Sequence, residues 1–277
     1  MIEKCEEGIT SDEETIVFDF SGCFFSDPFA ITVLVGAMSA CLARGKKVHY
    51  RTSPNVKLES YLGSIGFYEF GTSPVGQSKF KQRQVELQHL KAIDPTYTDA
   101  VIRVLGGYLQ MFPGVKASLH LSLNELMTNT FDHSQTIVGC FVCVQGYNRR
   151  GKVSICLTDF GKGILRILSS SPKYNFLENS IESIELAVKE GVSSRTGKLA
   201  GLGLSHIHKF LEINNGEIHI ISGDGWVHWN YAVPGAVQIK RKRLSIAFDG
   251  TIVNILARAD GEGLYVLASE NPEEVIF

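Results

Sequence analysis

Three polar side chains recur at every fourth position of the segment from Val115 to Ser134. Glu125, Asn129 and His133 have the spacing i, i+4 and i+8, which places them in one row on the surface of a helix. A carboxylate can orient or deprotonate an attacking water molecule, an amide oxygen is a suitable ligand for Mg²⁺, and an imidazole can donate a hydrogen bond to a phosphate. A solvated face of an amphipathic helix is the alternative interpretation. The buried stripe of the same helix is predicted to consist of Leu119, Leu123, Leu126 and Thr130.

A glycine-rich turn follows the predicted strand Val153–Leu157, with the sequence TDFGKG at residues 158–163. Asp159 lies at the end of this strand, and Gly161 and Gly163 would let a flat ligand approach the backbone. A carboxylate in that position suits recognition of the amino group of adenine. Taken alone, the pattern D-x-G-x-G is also typical of a plain β-turn.

A second glycine-rich turn, GKLAGLGL at residues 197–204, opens a predicted helix that runs to about Asn214. Backbone N–H groups at the start of such a helix form an anion site, although close helix packing at Gly201 and Gly203 would also explain the glycines. Residues 190–198, between the two turns, are small and polar, and we expect them to form a mobile lid.

Three motifs, in their order along the chain, resemble the N, G1 and G2 boxes of the GHKL class, which is named after gyrase, Hsp90, histidine kinases and MutL. The motifs are E-x-x-x-N-x-x-x-H, D-x-G-x-G and G-L-G-L. The boxes are ELMTNTFDHS, LTDFGKGI and GLGLSHI, and the resemblance covers about residues 96–257. It implies ATP and Mg²⁺ as ligands. It also implies an α/β sandwich in which a mixed sheet is covered on one face by helices.

The resemblance assigns a role to each matching residue. Glu125 would be the general base or the carboxylate that orients water, Asn129 the Mg²⁺ ligand, and Asp159 the residue that contacts adenine. The other residues implied to contact the nucleotide are Gly161 and Gly163 at the adenine pocket, Gly201, Leu202, Gly203 and Leu204 at the phosphates, and Thr251 on a closing strand.

The sequence also departs from the family pattern. Asp132 occupies the N-box position that is often Lys in histidine kinases, which removes one counter-charge for phosphate. His133 and Arg195, the latter in the predicted lid, could partly replace it. Since no F box is recognisable either, the chain resembles a member outside the standard sensor-kinase branch.

The segment FDFSGCFFSDPFAITVLVGA resembles the STAS domains of anti-sigma-factor antagonists. In that family a serine usually follows the aspartate and accepts a phosphate from a GHKL partner kinase, whereas Pro28 follows Asp27 here. Ser26 precedes the aspartate, where the match assigns no role. The resemblance implies a docking or regulatory contact with another protein and no phosphoacceptor.

The predicted elements divide the chain into two α/β units that would position these residues. Residues 1–75 form the STAS-like unit, residues 76–95 a linker or short exposed helix, and residues 96–277 the GHKL-type domain with a short extension after about residue 257. Strands of the second unit are predicted at 136–147, 152–158, 216–221, 226–232, 244–248 and 251–257.

Length and composition fit an ordinary globular protein of 277 residues, 44% of them hydrophobic and 20% charged. Because the net charge is only −2, we expect no nucleic-acid or membrane partner, and Lys240–Arg243 is predicted to be a solvated hairpin loop. The start of the chain lacks the pattern of a signal peptide, which favours a cytoplasmic location. Cys140 and Cys143 are expected to be buried free thiols.

The sequence therefore predicts a Mg²⁺-dependent ATP-binding protein, either a regulatory ATPase or a serine/threonine-type kinase acting on a partner protein. A non-catalytic ATP sensor, in which lid closure controls a protein interface, is the alternative. A self-contained histidine autokinase is not expected, and a homodimer stays open.

Overall fold

The computed structural model describes residues 1–71, 87–92, 95–107, 113–133, 136, 138–147, 151–192, 203–233 and 235–258. The first part is a small α/β unit in which β1 and β2 pair in parallel. Its long helix begins where predicted, because the Asp27 side chain accepts a hydrogen bond from the Ala30 N–H at 2.8 Å and Pro28 is at the first turn. The elements are α1 (Ile2–Thr10), β1 (Thr15–Asp19), α2 (Pro28–Ala43), β2 (Lys47–Arg51), α3 (Val56–Ser64) and a 3₁₀ helix (Phe67–Gly71).

A five-stranded sheet forms the centre of the second part, in the order β3-β4-β5-β7-β6. Its strands are β3 (Gln88–Leu90), β4 (Cys140–Tyr147), β5 (Lys152–Asp159), β6 (Glu217–Val233) and β7 (Ala236–Arg258). The described pairings within it are antiparallel. Helices cover this sheet, which confirms the predicted α/β sandwich. The expected mixed sheet is corrected, because the described pairings are antiparallel.

Strand β6 folds back on itself. The N–H of Tyr231 donates to the carbonyl of Gly216 at 3.0 Å, and the pairing register with β7 shifts around Gly223 and Gly225. Gly223 has a φ of 58°, which a side chain with a Cβ rarely adopts. The two halves of β6 therefore lie side by side, in agreement with the two separate strands predicted at 216–221 and 226–232.

Two segments differ from their predictions. The prediction of a hairpin loop at Lys240–Arg243 was wrong, because this segment lies in β7, opposite residues 225–228. A strand can form despite the positive charges of this segment, because Arg241 pairs with Glu185 and Arg243 pairs with Asp224. The predicted linker, residues 76–95, contains β3, which pairs with β4. The division of the chain into two units at this linker stays a prediction.

In the described part of the chain, five helices cover one face of the sheet, and their apolar sides form a core with it. They are α4 (Pro95–Gly106), α5 (Pro113–His133), α6 (Gly163–Ser169), α7 (Ser180–Ala187) and α8 (Gly203–Ile213). The predicted buried stripe of α5 is confirmed, since Leu119, Leu123, Leu126 and Thr130 are buried. Within the described part of the chain, no helix has both the length and the apolar character needed to cross a membrane.

Helix α2 packs on the opposite face of the sheet, against β4 and β5. Thr32 is fully buried there, and its hydroxyl accepts a hydrogen bond from the Thr158 hydroxyl at 2.9 Å. A Cβ on Gly36 would lie 2.1 Å from the ring of Phe160. The N-terminal unit therefore contacts the back of the glycine-rich turn that follows β5.

The cysteines are free thiols, as expected. Cys140 belongs to the core beneath the helices, whereas Cys143 belongs to the core beneath α2. Because the two side chains lie on opposite faces of the sheet, they cannot share a metal ion, and burial raises the pKa of both thiols.

Candidate functional site

A cavity of about 100 Å³ lies between the sheet and helices α5, α6 and α8. Five residues that the sequence singles out line it together: Glu125, Asn129, Asp159, Leu204 and Thr251. They come from α5, the end of β5, the start of α8 and β7. The rest of the wall is mainly apolar and includes Leu126, Leu157, Ile164, Leu168 and Val253. The cavity thus combines an apolar wall with a few polar groups, as binding pockets for small molecules commonly do.

Asp159 is the buried carboxylate among the described residues that line this cavity, with 3% of its surface exposed. It ends β5, and its Oδ1 accepts a hydrogen bond from the Gly161 N–H at 3.0 Å. Burial raises the pKa of its carboxyl to about 7, although the backbone N–H groups of Gly161 and Thr251 oppose that rise. Among the described residues, no lysine or arginine forms an ion pair with it. A ligand with an N–H donor would therefore offset part of the cost of burying this carboxylate.

The turn after Asp159 is held against Gly250, within β7, by Ser222. The Ser222 hydroxyl accepts from the Ile164 N–H and donates to the Gly250 carbonyl, both at 2.8 Å. A Cβ on Gly163, whose φ is 74°, would lie 2.7 Å from the Ser222 hydroxyl oxygen. Glycine is needed at position 163 because of this close approach. Sequence reasoning missed Ser222, since a serine in the apolar run before Gly223 carries no distinctive pattern.

Glu125 contacts the first residue of α8. Its Oε2 accepts a hydrogen bond from the Gly203 N–H at 2.6 Å, so the carboxylate lies at the positive end of this helix. A Cβ on Gly203 would be 3.0 Å from the Glu125 Cβ and 3.1 Å from the Ser122 carbonyl oxygen. Glycine at position 203 thus allows close helix packing, and the N–H at this helix end binds the Glu125 carboxylate.

The other residues that the sequence predicts to contact the nucleotide differ in where they lie relative to the cavity. Asn129 is half-buried, one helical turn beyond Glu125, and its side chain lines the cavity. His133 is the last residue of α5, and its side chain is outside the described atoms. Gly161 contributes its N–H to Asp159 but does not line the cavity. Arg195, Gly201 and Leu202 lie outside the described residues, as does the predicted lid beyond Val192.

No family model and no curated protein matches the sequence. Among solved structures, the chain is similar to the topoisomerase IV ATP-binding domain of Francisella tularensis in complex with a small-molecule inhibitor. The identity is 16% and the TM-score 0.30, over 68% of this chain and 46% of that one. The chain thus spans less than half of that structure, and this likeness is too weak to assign a family or an activity.

Proposed function

We propose that the cavity binds the adenine of ATP and that the second part of the chain is a nucleotide-binding domain of the GHKL class. The observation that carries the proposal is Asp159, a carboxylate with 3% exposure at the edge of an apolar cavity. The amino group of adenine would donate to this carboxylate, and the flat base would contact Leu126, Ile164 and Val253. Thr251, paired with Asp159 across β5 and β7, would contact the same edge of the base.

The phosphates would extend toward the start of α8, where the helix dipole and the backbone N–H groups of the first turn favour negative charge. Gly203 and Leu204 are the described residues of that region. The Asn129 side chain, between the adenine end and this helix end, would supply an amide oxygen to Mg²⁺. The ion usually keeps several of its waters, and it would provide counter-charge to the phosphates.

For the reaction, we propose a regulatory ATPase or a protein kinase that acts on another protein. Glu125 would orient the attacking water or hydroxyl group, and it would have to leave the Gly203 N–H to do so. The N-terminal unit would contact the partner through Phe24, Phe25 and Val56, whose exposures are 68%, 69% and 80%. Helix α2 is less suited to that contact, because most of its residues are buried.

The contact between Glu125 and Gly203 also favours the second candidate function, a nucleotide sensor without turnover. A carboxylate that caps α8 is held away from an attacking water. In a sensor, phosphate would compete with Glu125 for the helix end, and the resulting shift of α8 would change a protein interface.

Single-turnover experiments with γ-labelled ATP distinguish these functions. An ATPase releases labelled phosphate, a kinase transfers the label to another protein, and a sensor retains intact ATP. A crystal structure with Mg²⁺ and a non-hydrolysable ATP analogue tests the binding mode that they share. We expect the adenine amino group within hydrogen-bond distance of the Asp159 carboxylate and Mg²⁺ beside the Asn129 oxygen. Adenine bound elsewhere would refute the proposal.

A further inference from the structure

A second polar cluster lies on the face of the sheet opposite the nucleotide cavity. It consists of Glu217, His219 and His228, whose potential ligand atoms are all within 4.8 Å of one another. The two imidazole rings stack with centroids 3.8 Å apart and an angle of 7° between their planes. The Nε2 atom of His228 is 3.2 Å from Oε2 of Glu217.

The fold of β6 creates this cluster. Glu217 and His219 are two residues apart on the first half of the strand, so their side chains point to the same face. His228 belongs to the second half, which the turn at Gly223 and Gly225 brings alongside the first. Ligands that are distant in sequence therefore meet on one rigid strand pair, with His228 only 7% exposed.

We propose that Glu217, His219 and His228 form a binding site for Zn²⁺ or a similar divalent transition metal. Zinc binds imidazole nitrogen and carboxylate oxygen at about 2.0–2.2 Å in tetrahedral geometry, and two such ligands are then about 3.4 Å apart. The separation of 3.2 Å between His228 and Glu217 already matches that value. A rotation of the His219 side chain would bring the third ligand to the ion, and water would complete the coordination.

The surroundings support ligation. Arg258 donates a hydrogen bond to Oε1 of Glu217, which leaves Oε2 for the ion and orients the carboxylate as outer-shell partners commonly do. Asn254 is the partner of His219 across the sheet, and its buried Oδ1 has no hydrogen-bond partner among the described atoms. This oxygen could accept from the ring N–H of His219 that does not bind the ion.

The alternative for this cluster is a contact between His228 and Glu217 alone, in which no metal takes part.

Calorimetric titration of the chelator-treated 277-residue chain with Zn²⁺ in the absence of nucleotide tests this site. We expect one ion per chain and a Kd at least about tenfold weaker in both His219→Gln and Glu217→Gln. His49→Gln, at an exposed histidine of β2, is the matched control and should bind like wild type. Circular dichroism identifies any variant that fails to fold, and Glu217→Gln, which keeps the shape of the side chain, is expected to fold.

Co²⁺ provides a second measurement, because the intensity of its visible absorption reports tetrahedral coordination. We expect an intense spectrum with wild type and His49→Gln and a weaker one with Glu217→Gln. No Zn²⁺ binding by wild type, or equal binding by all folded variants, would overturn the proposal. Neither readout depends on ATP, so a failure here is distinct from a failure of the nucleotide site.

Discussion

The substitution Asp159→Asn changes the group on which the proposed adenine contact depends. The Gly161 N–H donates to Oδ1 of Asp159, so the single amide oxygen of the variant is used by this bond and its NH₂ group faces the cavity. An NH₂ group cannot accept a hydrogen bond from adenine. Since a hydrogen bond to a charged group contributes about 1.5–3 kcal/mol, we expect the Kd for ATP to rise about 10- to 150-fold.

The same substitution should not weaken the fold. Burial raises the pKa of Asp159 from 3.8 to about 7, so ionising this group in the folded state costs free energy. About three pKa units correspond to at most about 4 kcal/mol. This cost is absent below pH 4, where both states are protonated, and it grows as the pH rises to about 7. At pH 8 this relief offsets the loss of one acceptor for the Gly161 and Thr251 N–H groups, which costs about 1–3 kcal/mol, so the variant should be about as stable as wild type.

Adenosine binding gives a pH signature of the same group. Because only the ionised carboxylate accepts from the adenine amino group, and its pKa is about 7, the competent fraction is about 10% at pH 6 and about 90% at pH 8. Adenosine has no phosphate that titrates in this range. We expect its Kd to be about tenfold lower at pH 8 in wild type, and this pH dependence to vanish in Asp159→Asn.

Isothermal titration calorimetry with ATP at pH 7.5 and with adenosine at two pH values measures these effects, and urea unfolding measures stability. Asp99→Asn is a suitable control, because Asp99 is exposed on α4 and should leave binding unchanged. Equal ATP affinity of the folded Asp159→Asn variant and wild type would show that Asp159 does not contact adenine.

Three further substitutions test a buried carboxyl group, the contact between α2 and Phe160, and the role of Glu125. Burial raises the pKa of Glu6 to about 7. Glu6→Gln should therefore increase the free energy of unfolding by at most about 3 kcal/mol at pH 8 and have little effect at pH 4. Equal urea midpoints of the variant and wild type at both pH values would contradict this. Gly36→Ala places a Cβ 2.1 Å from the Phe160 ring. This variant should be destabilised by about 1–3 kcal/mol and should bind ATP more weakly. Unchanged urea midpoints and ATP affinity would contradict the importance of this contact. Glu125→Gln can still accept from the Gly203 N–H and should bind ATP normally, but any single-turnover rate should fall about 100-fold or more; an unchanged rate would exclude a role in catalysis.

Local patterns in the sequence were sufficient to predict the helix and the strand that carry Glu125, Asn129 and Asp159. Helical spacing places Glu125 and Asn129 on one face of a predicted helix, and α5 brings both to the cavity. Strand alternation followed by glycines places Asp159 at a strand end, where β5 does end. These predictions depend on residues within a few positions of one another, and such short-range geometry can be recognised in a single sequence.

Contacts between distant segments could not be predicted in this way. Thr32 and Cys156 are 124 residues apart and in contact beneath α2, and no local pattern relates them. The role of Ser222 depends on where β7 passes, and the cluster at Glu217 depends on the fold of β6. The strand at Lys240–Arg243 was missed because its charged side chains form ion pairs on the surface and leave no hydrophobic alternation.

Calorimetric titration of the purified chain with ATP in the presence of Mg²⁺ measures directly whether the cavity at Asp159 binds ATP. We expect saturable binding of one ATP per chain, weakened by Asp159→Asn. Absence of binding to the folded protein at millimolar ATP would show that the cavity is not an ATP site.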